Sequence, residues 1–121
     1  MDRELSLDER VALERILSCP FDGVTELRNQ IASARVVGGC PCGCASADIV
    51  VDGTLPRSIA SSPVSAELEI VDTEGRLLGG VLLFVADGMI SYLETYWYID
   101  DRTGAFPSAS ATRLVEADHE A

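Results

Sequence analysis

Four cysteines are the first side chains that could do chemistry. Cys40, Cys42 and Cys44 fall in one short run, "CPCGC", and Cys19 stands earlier in the chain. In extended backbone alternate side chains point the same way, so the three thiolates of the run could grip a soft metal, with Cys19 as a fourth ligand. The spacing argues against it, because structural zinc favours cysteine pairs with about two to four residues between their members. The one histidine, His119, lies close to the end of the chain. A disulfide framework is disfavoured because nothing marks the chain as secreted. A redox thiol needs a lowered pKa, and acidic surroundings raise it. The preferred reading is architectural: cysteine packs as a small buried hydrophobe, Gly39 and Gly43 admit close backbone, and Pro41 forces an edge or a bulge. No cofactor is expected, and a metal site at Cys19, Cys40, Cys42 and Cys44 stands as the alternative.

The second candidate group is acidic and aromatic. In "VSAELEIVD", residues 64–72, strict alternation turns Val64, Ala66, Leu68 and Ile70 inward and Glu67 and Glu69 outward. In "MISYLETYWYI", residues 89–99, Met89, Leu93 and Trp97 share one face, and Ile90, Tyr92, Glu94, Tyr96 and Tyr98 share the other. Paired carboxylates could do acid–base work or hold a hard cation. A small enzyme with Glu94 as general base and a tyrosine as hydrogen-bond donor is therefore a further alternative. The chain has no Walker loop, no G-x-G-x-x-G, no H-E-x-x-H and no G-x-S-x-G. A non-enzymatic reading is favoured, and no catalytic residue is assigned. Tyrosine brings a rigid apolar body with a polar tip, which suits recognition. The expected protein-binding set is Glu67, Glu69, Tyr92, Glu94, Tyr96 and Tyr98.

These groups need a scaffold, and the patterning supplies one. Ser6-Leu7-Asp8-Glu9 has the form of a capping box, opening a helix that places Leu13, Ile16 and Leu17 on one side and stops at Pro20. Asp22 can cap a second helix carrying Val24, Leu27 and Ile31 as a stripe, which Gly38-Gly39 breaks. Four extended segments follow, at residues 47–51, 64–72, 76–86 and 89–99. "DTEGR" and "ADGM" read as hairpin turns, and residues 53–63 form the long loop. The expected fold is α+β, with two N-terminal helices packed on one face of a mostly antiparallel sheet of four to five strands. Residues 1–121 form one domain, with a mobile C-terminal tail from about residue 103. The expected core comprises Leu13, Ile16, Leu17, Leu27, Ile31, Leu68, Ile70, Leu83, Val85, Leu93 and Trp97.

Charge narrows the partners. The chain has 20 acidic and 9 basic residues, a formal net charge of −11. Such a surface repels phosphate backbones and attracts basic proteins, so no nucleic-acid partner is expected and a basic protein partner is. No apolar run is long enough for a bilayer, so no membrane partner is expected, and without the layout of a secretory signal a cytoplasmic location is the default. A homodimer that buries the tyrosine face is a further possibility.

The "ER…L..IL" helix, Leu27 and Gln30, "CPCGC" and "DGMISYLETY" carry a resemblance. The chain resembles a family of small uncharacterised bacterial proteins, actinobacterial in type, with a C-x-C-G-C element and a D-G-x-[IL]-x-x-L-E-x-[YF] hairpin. The resemblance spans most of residues 6–100 and rests on Cys40, Cys42, Gly43, Cys44, Asp87, Gly88, Leu93, Glu94 and Tyr96. It implies a helical N-terminus on a curved antiparallel sheet and brings no catalytic residues. The hairpin is also similar to the end of small toxin-immunity proteins. The functional expectation is an acidic protein-binding module, an immunity-like antagonist of a basic bacterial toxin.

Overall fold

The computed structural model describes residues 2–39, 44–98 and 105–116. Helix α1 (Leu7–Ile16) begins as the sequence predicts. Ser6 Oγ accepts from the Glu9 amide at 3.1 Å, and Glu9 Oε1 accepts from the Ser6 amide at 2.8 Å. This reciprocal pair satisfies two donors that the first helical turn would otherwise leave open. Helix α2 (Val24–Gln30) starts differently from the expectation. Its N-cap is Gly23, at φ +90, and no side chain caps it, so Asp22 has no capping role. The left-handed backbone suits glycine, and Ser58 Oγ donates to the Gly23 carbonyl at 2.7 Å. One turn of 3-10 helix, Ile31–Ser33, follows.

The rest is sheet. Strands β1 (Arg3–Glu4), β2 (Arg35–Gly39), β3 (Ala47–Val50), β4 (Ala66–Val71), β5 (Leu77–Ala86), β6 (Met89–Trp97) and β7 (Thr112–Glu116) form one sheet. Their order is β1-β2-β3-β6-β5-β4-β7, with every pairing antiparallel. The α+β class and the antiparallel sheet agree with the sequence reading, but the strand number, seven, exceeds the expected four to five. The additional strands are short or lie toward the sheet edges. β1 has two residues, β2 carries two glycines, and β7 lies in the stretch read as tail and pairs with β4 far upstream. Arg15 of α1 helps seat β7, donating to Thr112 Oγ1 and to the Ala109 carbonyl.

The strand order explains the long loop. The chain must pass from β3 to β4 across the end of the β5–β6 hairpin, and residues 51–65 make that crossing. The loop is fastened along its length. The Ser58 amide donates to the Gly88 carbonyl at 2.9 Å, and the Val85 amide donates to Ser62 Oγ at 2.9 Å. Asp87 (φ +53) and Gly88 (φ +77) form the tight turn that their sequence announces.

Both helices bury their apolar stripes on one side of the sheet, α1 against β4 and β5 and α2 against β6. Leu13, Ile16, Leu27, Leu68, Leu83 and Leu93 are fully enclosed there. Each contributes roughly 1.5–3 kcal/mol by leaving water. Val85 and Trp97, expected in the core, pack against it half-buried. Ile90 departs from the expected face. A register shift between Phe84 and Val85 places one extra residue, Ser91, on β6, and the reversed alternation turns Ile90 into the core at 1 % exposure. Gln30 is also wholly buried. Its amide donates to the Gly88 carbonyl (2.9 Å) and the Pro56 carbonyl (3.3 Å) and accepts from the Ile90 amide (2.9 Å), fastening α2 to the hairpin and the loop. No described helix is long and apolar enough to cross a membrane.

Candidate functional site

The sheet face opposite the helices gathers the acidic and aromatic candidates. Register places Glu69 of β4, Gly80 of β5 and Tyr96 of β6 in one row, with Arg113 of β7 beside Glu69. In the next row Leu82 pairs with Glu94, and beyond it Phe84 pairs with Tyr92. Each of these side chains other than Arg113 is half-buried, and Gly80 lies beneath the ring of Tyr96. A Cβ on Gly80 would stand 2.5 Å from the Tyr96 Cζ. The bare backbone of β5 therefore lets the tyrosine cross it, and Tyr96 Oη donates to Glu67 Oε2 of β4 at 3.1 Å. Tyr98, 65 % exposed, meets Tyr96 edge-on with ring centroids 5.5 Å apart. Phe84 and Tyr92 form a second, tilted ring pair at 6.1 Å.

The electrostatics separate three carboxylates that the sequence treats alike. Glu69 is neutralised by Arg113, whose Nε lies 2.6 Å from Glu69 Oε1. Glu67 meets no cation among the described residues and accepts from Tyr96. Burial, followed by hydrogen bonding with Tyr98 and the negative charge of Glu67, pushes the Tyr96 phenol well above the usual tyrosine range. Glu94 has no hydrogen bond or ion pair to any described residue, and it shares its face with Tyr92 and Tyr96, two residues to either side. All six expected binding residues thus lie on β4 and β6 or directly after β6, and only Glu94 is an unengaged anion among them. The sequence reading missed Arg113 and Gly80. Gly80 is visible only as one of two glycines in an apolar run, and Arg113 becomes relevant only once β7 is known to pair with β4.

Cys19 and Cys44 are placed apart from this face. Cys40 and Cys42 lie outside the described residues. Cys44 borders a cleft of about 390 Å³ with Arg3, Glu9 and Phe106. Cys19 is buried beside a second cleft. Burial and the adjacent Glu116 carboxylate push its thiol upward in pKa, away from thiolate chemistry. Among the described residues no group of three or more histidine, cysteine or acidic side chains is arranged to hold a metal ion. Glu67, Glu94 and Tyr96 line neither cleft.

Glu9 shows what a committed carboxylate looks like here. Arg3 donates to both of its oxygens at 2.8 Å while the capping bond from Ser6 occupies one of them. Burial alone would raise its pKa, but Arg3 and Ser6 outweigh it and hold the carboxyl below the usual range. No protein-family model, no curated protein and no solved structure matches the chain.

Proposed function

We propose that this chain is a non-enzymatic, acidic protein-binding module whose helix-free sheet face receives a basic partner, in the manner of an immunity-like antagonist of a basic bacterial toxin. The observation that carries the reading is Glu94, a half-buried carboxylate with no partner among the described residues, set between Tyr92 and Tyr96. A guanidinium or ammonium group fits such a place, where the carboxylate pairs with its charge and the rings offer their faces. Tyr98 adds an exposed aromatic surface, and the net charge of −11 draws basic proteins from a distance.

Affinity capture at low ionic strength from the source cells tests this. Wild-type chain is expected to retain a basic protein that Glu67→Lys and Glu94→Lys variants release. Recovery of no basic protein, or recovery by both variants equal to that of the wild type, would end the proposal.

A further inference from the structure

We propose that the cleft beside Cys19 is a second recognition site, a socket for an arginine side chain presented by a protein segment. It is a separate surface from the sheet face around Glu94. The cleft has a volume of about 480 Å³ and lies where the end of α1, the start of α2, the long loop and the end of β7 meet. Its apolar lining comes from Pro20, Phe21 and Ile59, its hydroxyls from Ser61 and Ser65, and its charges are the carboxylates of Asp22 and Glu116.

Three observations select the occupant. Ile59 is 81 % exposed, yet it sits between Ser58 and Ser62, which fasten the loop to Gly23, Gly88 and Val85. A large apolar side chain held outward on a fixed loop offers contact area at little entropic cost. Asp22 does not cap α2, and no described cation reaches Asp22 or Glu116. That negative charge therefore has no cation to answer it among the described residues. Burial and Glu116 disfavour the thiolate of Cys19, and among the described residues its neighbours do not converge on a metal. An arginine answers all of these features: its guanidinium pairs with a carboxylate through parallel hydrogen bonds, stacks on the Phe21 ring, and carries an aliphatic stem for Ile59.

The test is amide chemical-shift mapping on the intact chain with a blocked tripeptide of arginine between two leucines, beside its glutamine counterpart. The arginine peptide is expected to shift the amides of Phe21, Asp22, Ser61 and Glu116 saturably. Affinity should fall about tenfold in an Asp22→Asn, Glu116→Gln double variant, as expected when charge-assisted contacts are lost. It should fall also in Ile59→Ser, and remain unchanged in Glu14→Gln, an exposed helix position outside both surfaces. Equal shifts from the glutamine peptide, shifts confined to the sheet face, or no saturable shift would overturn the assignment. So would the same amides moving with protein concentration alone, since the occupant would then be a second copy. Loss of binding in Glu94→Gln with retention in the double variant would support the sheet-face reading while refuting this one.

Discussion

The two faces of the sheet treat polar groups in opposite ways. On the helix side, Gln30 is enclosed and every amide atom is used, and at its margin Glu9 is 3 % exposed and held by Arg3 and Ser6. On the other side, Glu94 is half-buried and unengaged, Glu67 shares a bond with a tyrosine, and an aromatic surface is left partly in water. A buried polar group without partners costs stability, so the enclosed ones are bound to be satisfied. Where solvent still reaches, a carboxylate can remain unpaired at little cost and stay available to another molecule. Satisfied groups therefore mark construction, and the half-exposed unpaired one is the group on which the proposed recognition rests.

Substitutions on each side put that contrast to the test. The largest effect is expected in the enclosed layer, where Leu93→Ala should cost about 3 kcal/mol in urea denaturation, through lost burial and a residual cavity. Gln30→Leu keeps the volume but leaves the Ile90 amide without its acceptor, and should cost about 2 kcal/mol. A neutral result would mean that the amide is ornamental and the contrast false. Glu9→Gln should cost about 1–2 kcal/mol at neutral pH, with half-exposed Arg3 limiting the loss. The folded Glu9 carboxyl sits below its unfolded value, so its contribution is present above the ordinary carboxylate range and fades as pH falls through that range toward the folded value. The wild type should accordingly lose its advantage over Glu9→Gln in acid.

On the other face Gly80→Ala should change stability by less than about 1 kcal/mol, since the displaced group is the mobile end of a tyrosine. Its signature is instead the Tyr96 phenol, which should titrate closer to the ordinary tyrosine range once it is pushed off Glu67. Ultraviolet titration reads this directly. In the wild type the raised phenol favours the folded state below the ordinary tyrosine range, and that contribution is lost as pH climbs toward the folded value. Tyr96→Phe should abolish this alkaline dependence.

Local physics was legible in the sequence, and long-range pairing was not. The capping box at Ser6 needs only residues three apart, and it is present as read. The turns at Asp72 and Asp87-Gly88 likewise sit between the strands that their composition separates. β7 escaped notice because "TRLVE" gains its identity from register with Ala66–Ile70, which no local pattern records. Asp22 looked like a cap because its type is right, but Ser58, more than thirty residues later, favours Gly23 in that place. The Ser91 bulge moved Ile90 to the core against strict alternation. For the site, the face of Glu67, Glu69, Glu94 and the tyrosines followed from a period of two. Which glutamate is neutralised and which is free depended on the neighbours Arg113 and Gly80, and so on the strand order.

The central claim concerns one carboxylate rather than total charge. Its most direct test compares Glu94→Gln with Glu14→Gln, an exposed helix position that removes the same charge elsewhere. The measurement is the dissociation constant for the basic protein captured by the wild type at low ionic strength. Glu94→Gln is expected to weaken binding about tenfold and Glu14→Gln to change it little. Equal affinities for the two variants would contradict the claim.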